Sequence, residues 1–98
     1  MNHQDMFDLL VEERGIYCER CNWNKITELH HCIVHRMKNH PELNQLWNYE
    51  GLCRDCHSDG YVNSYEHRVG FWNRQKERGY PMKEIYDSLP LKKKENFE

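Results

Sequence analysis

The chain has 98 residues, with fourteen Lys and Arg, sixteen Asp and Glu, seven His, five Cys and a net charge of -2 with His neutral. The length suits a single domain over 1–98 and excludes two independent cores. Hydrophobic residues make up only 38% and mean hydropathy is -1.08, so apolar burial needs a supplement such as a metal, disulfides or a partner.

In chain order, residues 3–14 read as a helix. Met6, Phe7, Leu10 and Val11 fall near i, i+3, i+4 spacing, and Gly15 stops it. Ile26 to Val34 is rich in β-branched residues and reads as a strand. Pro41 opens a short predicted helix through Trp47, with Leu43, Leu46 and Trp47 on its apolar side. Gly51 interrupts before Cys53, and Asp59-Gly60 is a turn signal. A longer helix is expected from about Asn63 to Arg78. Asn63 and Glu66 have capping-box spacing, Tyr65, Val69 and Trp72 share one side, and Gly79 ends it. A last helix follows from Pro81 to Leu89, and residues 91–98 read as a frayed, charged tail. Twelve per cent aromatic residues argue against disorder. No apolar run approaches the roughly 20 residues of a membrane span. The opening Met1-Asn2-His3-Gln4-Asp5 lacks a secretory leader. The expectation is a cytoplasmic chain without a membrane partner, in a compartment where disulfides rarely persist.

Cys18-Glu19-Arg20-Cys21 and Cys53-Arg54-Asp55-Cys56 are two C-x2-C pairs. Each spacing turns two thiolates towards one point, and two such turns complete a tetrahedral zinc site. A redox C-x-x-C would need a βαβ context that is absent here. Cysteines buried as small hydrophobes are the other plain reading. Structural zinc is expected, because in small modules it contributes on the order of 10 kcal/mol to folding. Four thiolates leave no open position, so that ion is structural and not catalytic. Cys32 reads as a buried strand residue.

Between the knuckles lie His30 and His31 on the predicted strand, Asn48 five residues before Cys53, and His57 directly after Cys56. Neighbours on a strand point to opposite faces, so the two histidines of the doublet cannot both line one flat surface, and they can serve different roles if the strand end twists or bulges. The ordered set Cys18-x2-Cys21, His30-His31, Asn48, Cys53-x2-Cys56-His57 resembles the zinc-containing HNH endonucleases. The resemblance covers about residues 16–62. It implies a small α+β fold: a ββα-metal (His-Me finger) core on a treble-clef-like zinc scaffold, flanked by an N-terminal helix and a C-terminal helical extension over about 63–90. It also implies His31 as the general base that takes a proton from the attacking water. His30 and His57 are then ligands of a catalytic divalent metal (Mg²⁺, Mn²⁺, Ni²⁺ or Zn²⁺). Asn48 braces the hairpin loop through side-chain to backbone hydrogen bonds. The implied products are a 5′-phosphate and a 3′-hydroxyl, and the implied partner is DNA, double-stranded. Small proteins of this kind occur in phages and mobile elements, which suggests phage packaging or another protein partner and the host cytoplasm.

Two departures stand out. The segment from Met37 to Trp47 has no Gly, so a short inserted helix is expected where relatives have a Gly-rich loop. Tyr49 replaces the commoner aliphatic residue after the Asn. The charge balance is also uneven. Residues 1–60 carry six Lys/Arg against ten Asp/Glu, and residues 61–98 carry eight against six. A bound cation supplies local positive charge that this count omits. Arg54 and Arg36 are the expected nucleic-acid contacts, while Arg68, Arg74, Lys76 and Arg78 read mainly as a solvated helix face. His35 is a further ligand candidate. His3 and His67 have no supporting spacing. A zinc-stabilised nucleic-acid or protein binding module without catalysis is the competing reading, and it has no need of the triad His30, His31 and His57.

Overall fold

A computed structural model describes residues 2–98. It is a small α+β structure with a two-stranded antiparallel sheet and four α-helices among the described residues. Helix α1 spans His3–Arg14. The Asn2 side chain caps it, its Oδ1 accepting from the Asp5 N–H at 2.9 Å. Gly15 ends it with φ +90°, a conformation that disfavours any side chain.

Strand β1, Glu28–His31, pairs with β2, Tyr49–Leu52. Glu28 lies opposite Leu52, Leu29 opposite Gly51, His30 opposite Glu50, and His31 opposite Tyr49. Alternation then gives the hairpin two distinct faces. Glu28, His30, Glu50 and Leu52 occupy one, and Leu29, His31, Tyr49 and Gly51 the other. Helix α1 packs on the second face, where Met6 and Leu10 join Ile26, Leu29 and Tyr49. Gly51 is needed there. A Cβ would sit 2.7 Å from Ile26 Cδ1 and 2.8 Å from Leu10 Cδ2.

Helix α2, Arg54–Ser58, follows β2 directly. Helix α3, Tyr65–Glu77, and helix α4, Met82–Asp87, complete the fold. The largest core cluster joins Cys32, Ile33, Leu43 and Trp47 to Phe71, Trp72, Met82 and Tyr86 of the last two helices. A buried polar joint ties α1 to the rest. Arg14 donates to the carbonyls of Tyr49 at 2.6 Å and Leu46 at 2.8 Å, and to Glu19 at 2.9 Å. Glu19 in turn accepts from the Gly51 N–H and from Arg78.

Several expectations shift. The strand expected over 26–34 is only four residues long, because Ile33 and Val34 turn away to hydrogen-bond to Asn48. The helix expected from Pro41 to Trp47 is a single 3₁₀ turn, Pro41–Leu43. Leu43 and Trp47 are buried from it, while Leu46 is half-buried. Strand β2 has no counterpart among the expected elements. Gly51 lies inside it and does not interrupt it. The cap of α3 is Ser64, whose side chain accepts from the His67 N–H, and not Asn63. The buried side of α3 is His67, Phe71, Trp72 and Gln75, with Tyr65 exposed. The tail is not frayed. Phe97 is buried and stacks on Trp72 with ring centroids 4.8 Å apart, and Tyr65 donates a hydrogen bond to the Asn96 carbonyl. No helix among the described residues is long and apolar enough to cross a membrane.

Candidate metal centres

The first knuckle is a tight ribbon. The Cys18 N–H donates to the Asn24 carbonyl at 2.8 Å, the Asn22 N–H donates to Cys18, and Tyr17 bridges to Lys25. Asn22 takes φ +54° to make the turn, a conformation that Asn tolerates well. The second knuckle is the start of α2, with the His57 N–H donating to the Cys53 carbonyl. Together they bring the sulfurs of Cys18, Cys21, Cys53 and Cys56 within 4.8 Å of one another. Cys21 and Cys53 Sγ are 3.9 Å apart. A tetrahedron of Zn–S bonds has edges of about 3.8 Å. This geometry can hold a structural metal such as zinc.

The opposite shifts of Cys21 and Cys56 favour a cation between them. Backbone N–H groups of Asn24 and Trp23 pull the Cys21 thiol down to about 6. Burial and its cysteine neighbours push Cys56 up to about 12. One sulfur is therefore readily a thiolate while its neighbour resists becoming a second. A divalent ion between them removes that conflict. No pair of the five cysteines is joined as a disulfide.

The second constellation lies on the His30 face of the hairpin, against α2. The rings of His30 and His57 are 4.9 Å apart and tilted by 58°. Glu28, two residues before His30 and on the same face, sits 2.7 Å from His57 Nδ1. A carboxylate can only accept there, so Nδ1 carries a proton and points Nε2 the other way. The contact with His57 also holds the Glu28 pKa down. His30 Nε2 is buried with no hydrogen-bond partner among the described residues. Burial pulls the His30 pKa down to about 4, so its ring is neutral at pH 7, the state a metal ligand needs. Two imidazoles thus face each other, one with an unsatisfied nitrogen.

Beneath His30 is a buried polar group that sequence reasoning missed. Glu50, fully buried, lies opposite His30, and its carboxylate, a His30 ring nitrogen and the Cys32 sulfur lie within 4.8 Å of one another. Its two oxygens are already taken. His67 Nε2 lies 2.7 Å from Oε1, and Arg74 Nη2 donates to Oε2 at 2.7 Å. This ion network joins α3 to the hairpin and satisfies the carboxylate, while Arg74 Nε stays buried without a partner among the described residues. Burial raises the Glu50 pKa, but His67 and Arg74 outweigh it and the net shift is downward. Cys32 is buried, and burial pushes its thiol far up.

His31 turns to the other face. Its Nε2 is 2.8 Å from Asn44 Oδ1, and its ring packs on Tyr49 at 4.7 Å. Asn44 was not singled out from the sequence. An amide oxygen accepts, so Nε2 carries the proton and Nδ1 is the free base. Burial lowers the His31 pKa below 6.5. The Asn44 bond works against this, and the nearby Arg36 adds to it, with smaller contributions from His35 and His3.

Asn48 is fully buried and makes four bonds. Its Oδ1 accepts from the N–H groups of Ile33 and Val34, both at 2.9 Å. Its Nδ2 donates to the carbonyls of Val34 at 2.8 Å and Leu43 at 3.0 Å. It staples the chain leaving β1 to the 3₁₀ turn before β2. Arg54 is exposed, its Nε 3.5 Å from Glu28. Arg36 and His35 are exposed on the loop after β1. Arg68, Arg74, Lys76 and Arg78 are all ion-paired, to Glu95, Glu50, Glu98 and Glu19.

Glu28 was legible in principle, since an i, i+2 pair on a strand shares a face. Glu50 becomes legible only once β2 is known. Nothing in the spacing of His67 points to it. Compared with protein-family models, curated proteins and solved structures, the chain matches none.

Proposed function

We propose that this chain is an HNH-type, metal-dependent endonuclease that hydrolyses phosphodiester bonds in DNA. The observation that carries the reading is the pairing of His30 and His57, two imidazoles with free or orphaned nitrogens, on a hairpin braced by Asn48 and followed by a short helix. A binding module needs the four cysteines but has no use for this pair.

The residues divide the work. Cys18, Cys21, Cys53 and Cys56 hold a structural Zn²⁺, closed to substrate. His30 and His57 hold a divalent ion such as Mg²⁺, Mn²⁺, Ni²⁺ or Zn²⁺, with Glu28 fixing the tautomer of His57. When bound there, such an ion would supply charge neutralisation at the phosphate and at the departing 3′ oxygen. His31 Nδ1 takes the proton of the attacking water, and the Asn44 oxygen at Nε2 orients the ring. The P–O3′ bond breaks as the P–OH bond forms, and the departing 3′ oxygen takes a proton from solvent water, leaving a 5′-phosphate and a 3′-hydroxyl. In-line attack needs the base and the leaving-group stabiliser on opposite sides of phosphorus. Adjacent residues of one strand, diverging to opposite faces, suit that demand. Arg36 and Arg54 flank the two sides as phosphate contacts.

The test is nicking of supercoiled plasmid with Mg²⁺, Mn²⁺ or Ni²⁺. The expected outcome is cutting by the wild type and a loss of about 10²–10⁴-fold in His31→Ala, the usual weight of a general base. Equal cutting by His31→Ala would remove His31 from the chemistry.

A further inference from the structure

On the His31 face, α1 and the hairpin enclose a cavity of about 420 Å³. This is within the range of small-ligand sites. It is lined by the side chains of Asn2, His3, His31, Arg36, Asn44 and Tyr49 over an apolar floor. No carboxylate lines it. That is notable within residues 1–60, where ten acids face six Lys/Arg. Arg36 makes no ion pair or side-chain hydrogen bond among the described residues, and neither does His3. The Asn44 oxygen is occupied by His31, which leaves its NH₂ donors unused. Elsewhere the arginines find carboxylates. Arg14, Arg20, Arg54, Arg68, Arg74 and Arg78 are all paired. Arg36 is the one arginine among the described residues without such a partner, and it lines the same cavity as the candidate base His31.

We propose that this cavity is a backbone-phosphate subsite, in which Arg36, His3 and the Asn44 amide hold a phosphodiester phosphate neighbouring the one at the metal. A guanidinium and amide N–H groups without competing carboxylates match the acceptor-only oxygens of a phosphodiester. The cavity has room for a phosphate with part of its sugar, and it opens beside His31, so a bound strand continues to the hydrolytic centre. This assignment rests on the endonuclease reading for the identity of the strand, but its binding test needs no cutting.

The test is the affinity of the zinc-loaded protein for a short labelled DNA duplex, without added catalytic metal, across a salt series. A phosphate contact shows as weaker binding together with a smaller salt slope. Arg36→Gln is expected to weaken binding about tenfold, as for a hydrogen bond to a charged group, and to lower the slope of log K against log salt by about 1. His3→Ala is expected to weaken it less. Lys83→Gln, on the far helix α4, is expected to leave both unchanged. Unchanged affinity and slope in Arg36→Gln would overturn the subsite, as would a wild type that fails to bind the duplex. Arms with inorganic phosphate and a 5′-mononucleotide separate the sources. Tight, Arg36-dependent binding of either without duplex binding would make this a free-phosphate site and overturn the backbone assignment. If the duplex binds with the expected Arg36 dependence while plasmid nicking fails with every metal, the subsite stands and the endonuclease reading falls.

Discussion

At the scale of single residues, Asn48 and the doublet of histidines show how much one position decides. Asn48 satisfies two N–H groups and two carbonyls from three separate positions. Replacing it with Ala removes all four bonds at once. Each unsatisfied buried group costs about 1–3 kcal/mol, less where water can enter. Asn48→Ala is therefore expected to lose about 3 kcal/mol of stability in urea denaturation, with no change in zinc content. A loss below about 1 kcal/mol would mean that the loop has another brace. The bracing role of an Asn at this spacing was legible from the resemblance. The partners were not, because they depend on how the chain leaves β1. That the doublet divides between the two faces of the hairpin was legible, since strand parity alone separates neighbours. Asn44 was invisible because the helix expected over 41–47 would have pointed it elsewhere.

At the scale of elements, the hairpin is clamped between α1 on one face and α2 and α3 on the other. The clamp on the His30 side is Glu50, reached from α3 by His67 and Arg74. Removing one partner of a buried ionic network leaves the others uncompensated, and Glu50→Gln is expected to cost about 3 kcal/mol at neutral pH. The pH dependence follows from the folded pKa of Glu50, which lies below its ordinary value of 4.5. Such a group stabilises the fold above the unfolded pKa, and the contribution is lost as pH falls through the folded value. The stability gap between wild type and Glu50→Gln should thus be full at pH 6–7, above the carboxylate's unfolded pKa, and should close below about 4.5. A gap that stays constant into acid would show that Glu50 acts through packing alone. Strand β2 itself was not legible, because Tyr-Glu-Gly-Leu has weak strand character and forms by pairing with β1. Glycine there reads as a break. In the fold it makes room for Leu10 and Ile26.

At the scale of the whole molecule, a short polar chain is held at three places: the four-cysteine cluster, the Arg14–Glu19 joint and the aromatic cluster closed by Phe97. A four-cysteine cluster able to hold a metal was legible from the paired C-x2-C spacing. The closing role of the tail was not, because Phe97 is a single apolar residue in a charged run and its partners come from α3 and α4. Metal analysis should find about one tightly held zinc per chain, and a strong chelator should unfold the knuckles cooperatively, since site and fold form together. A chain that stays folded without zinc would contradict the staple. The central claim, however, is that a second metal at His30 and His57 cuts DNA. Its most direct measurement is relaxation of supercoiled plasmid by zinc-loaded protein against added Mn²⁺ or Ni²⁺, for wild type, His30→Ala and His57→Ala side by side. The expected result is nicking that requires the added metal and falls by at least about 100-fold in both variants, matching the 10–100-fold or greater losses seen when metal-site groups are removed. Nicking that persists at the wild-type rate in either variant, or a wild type inert with every metal, would contradict it.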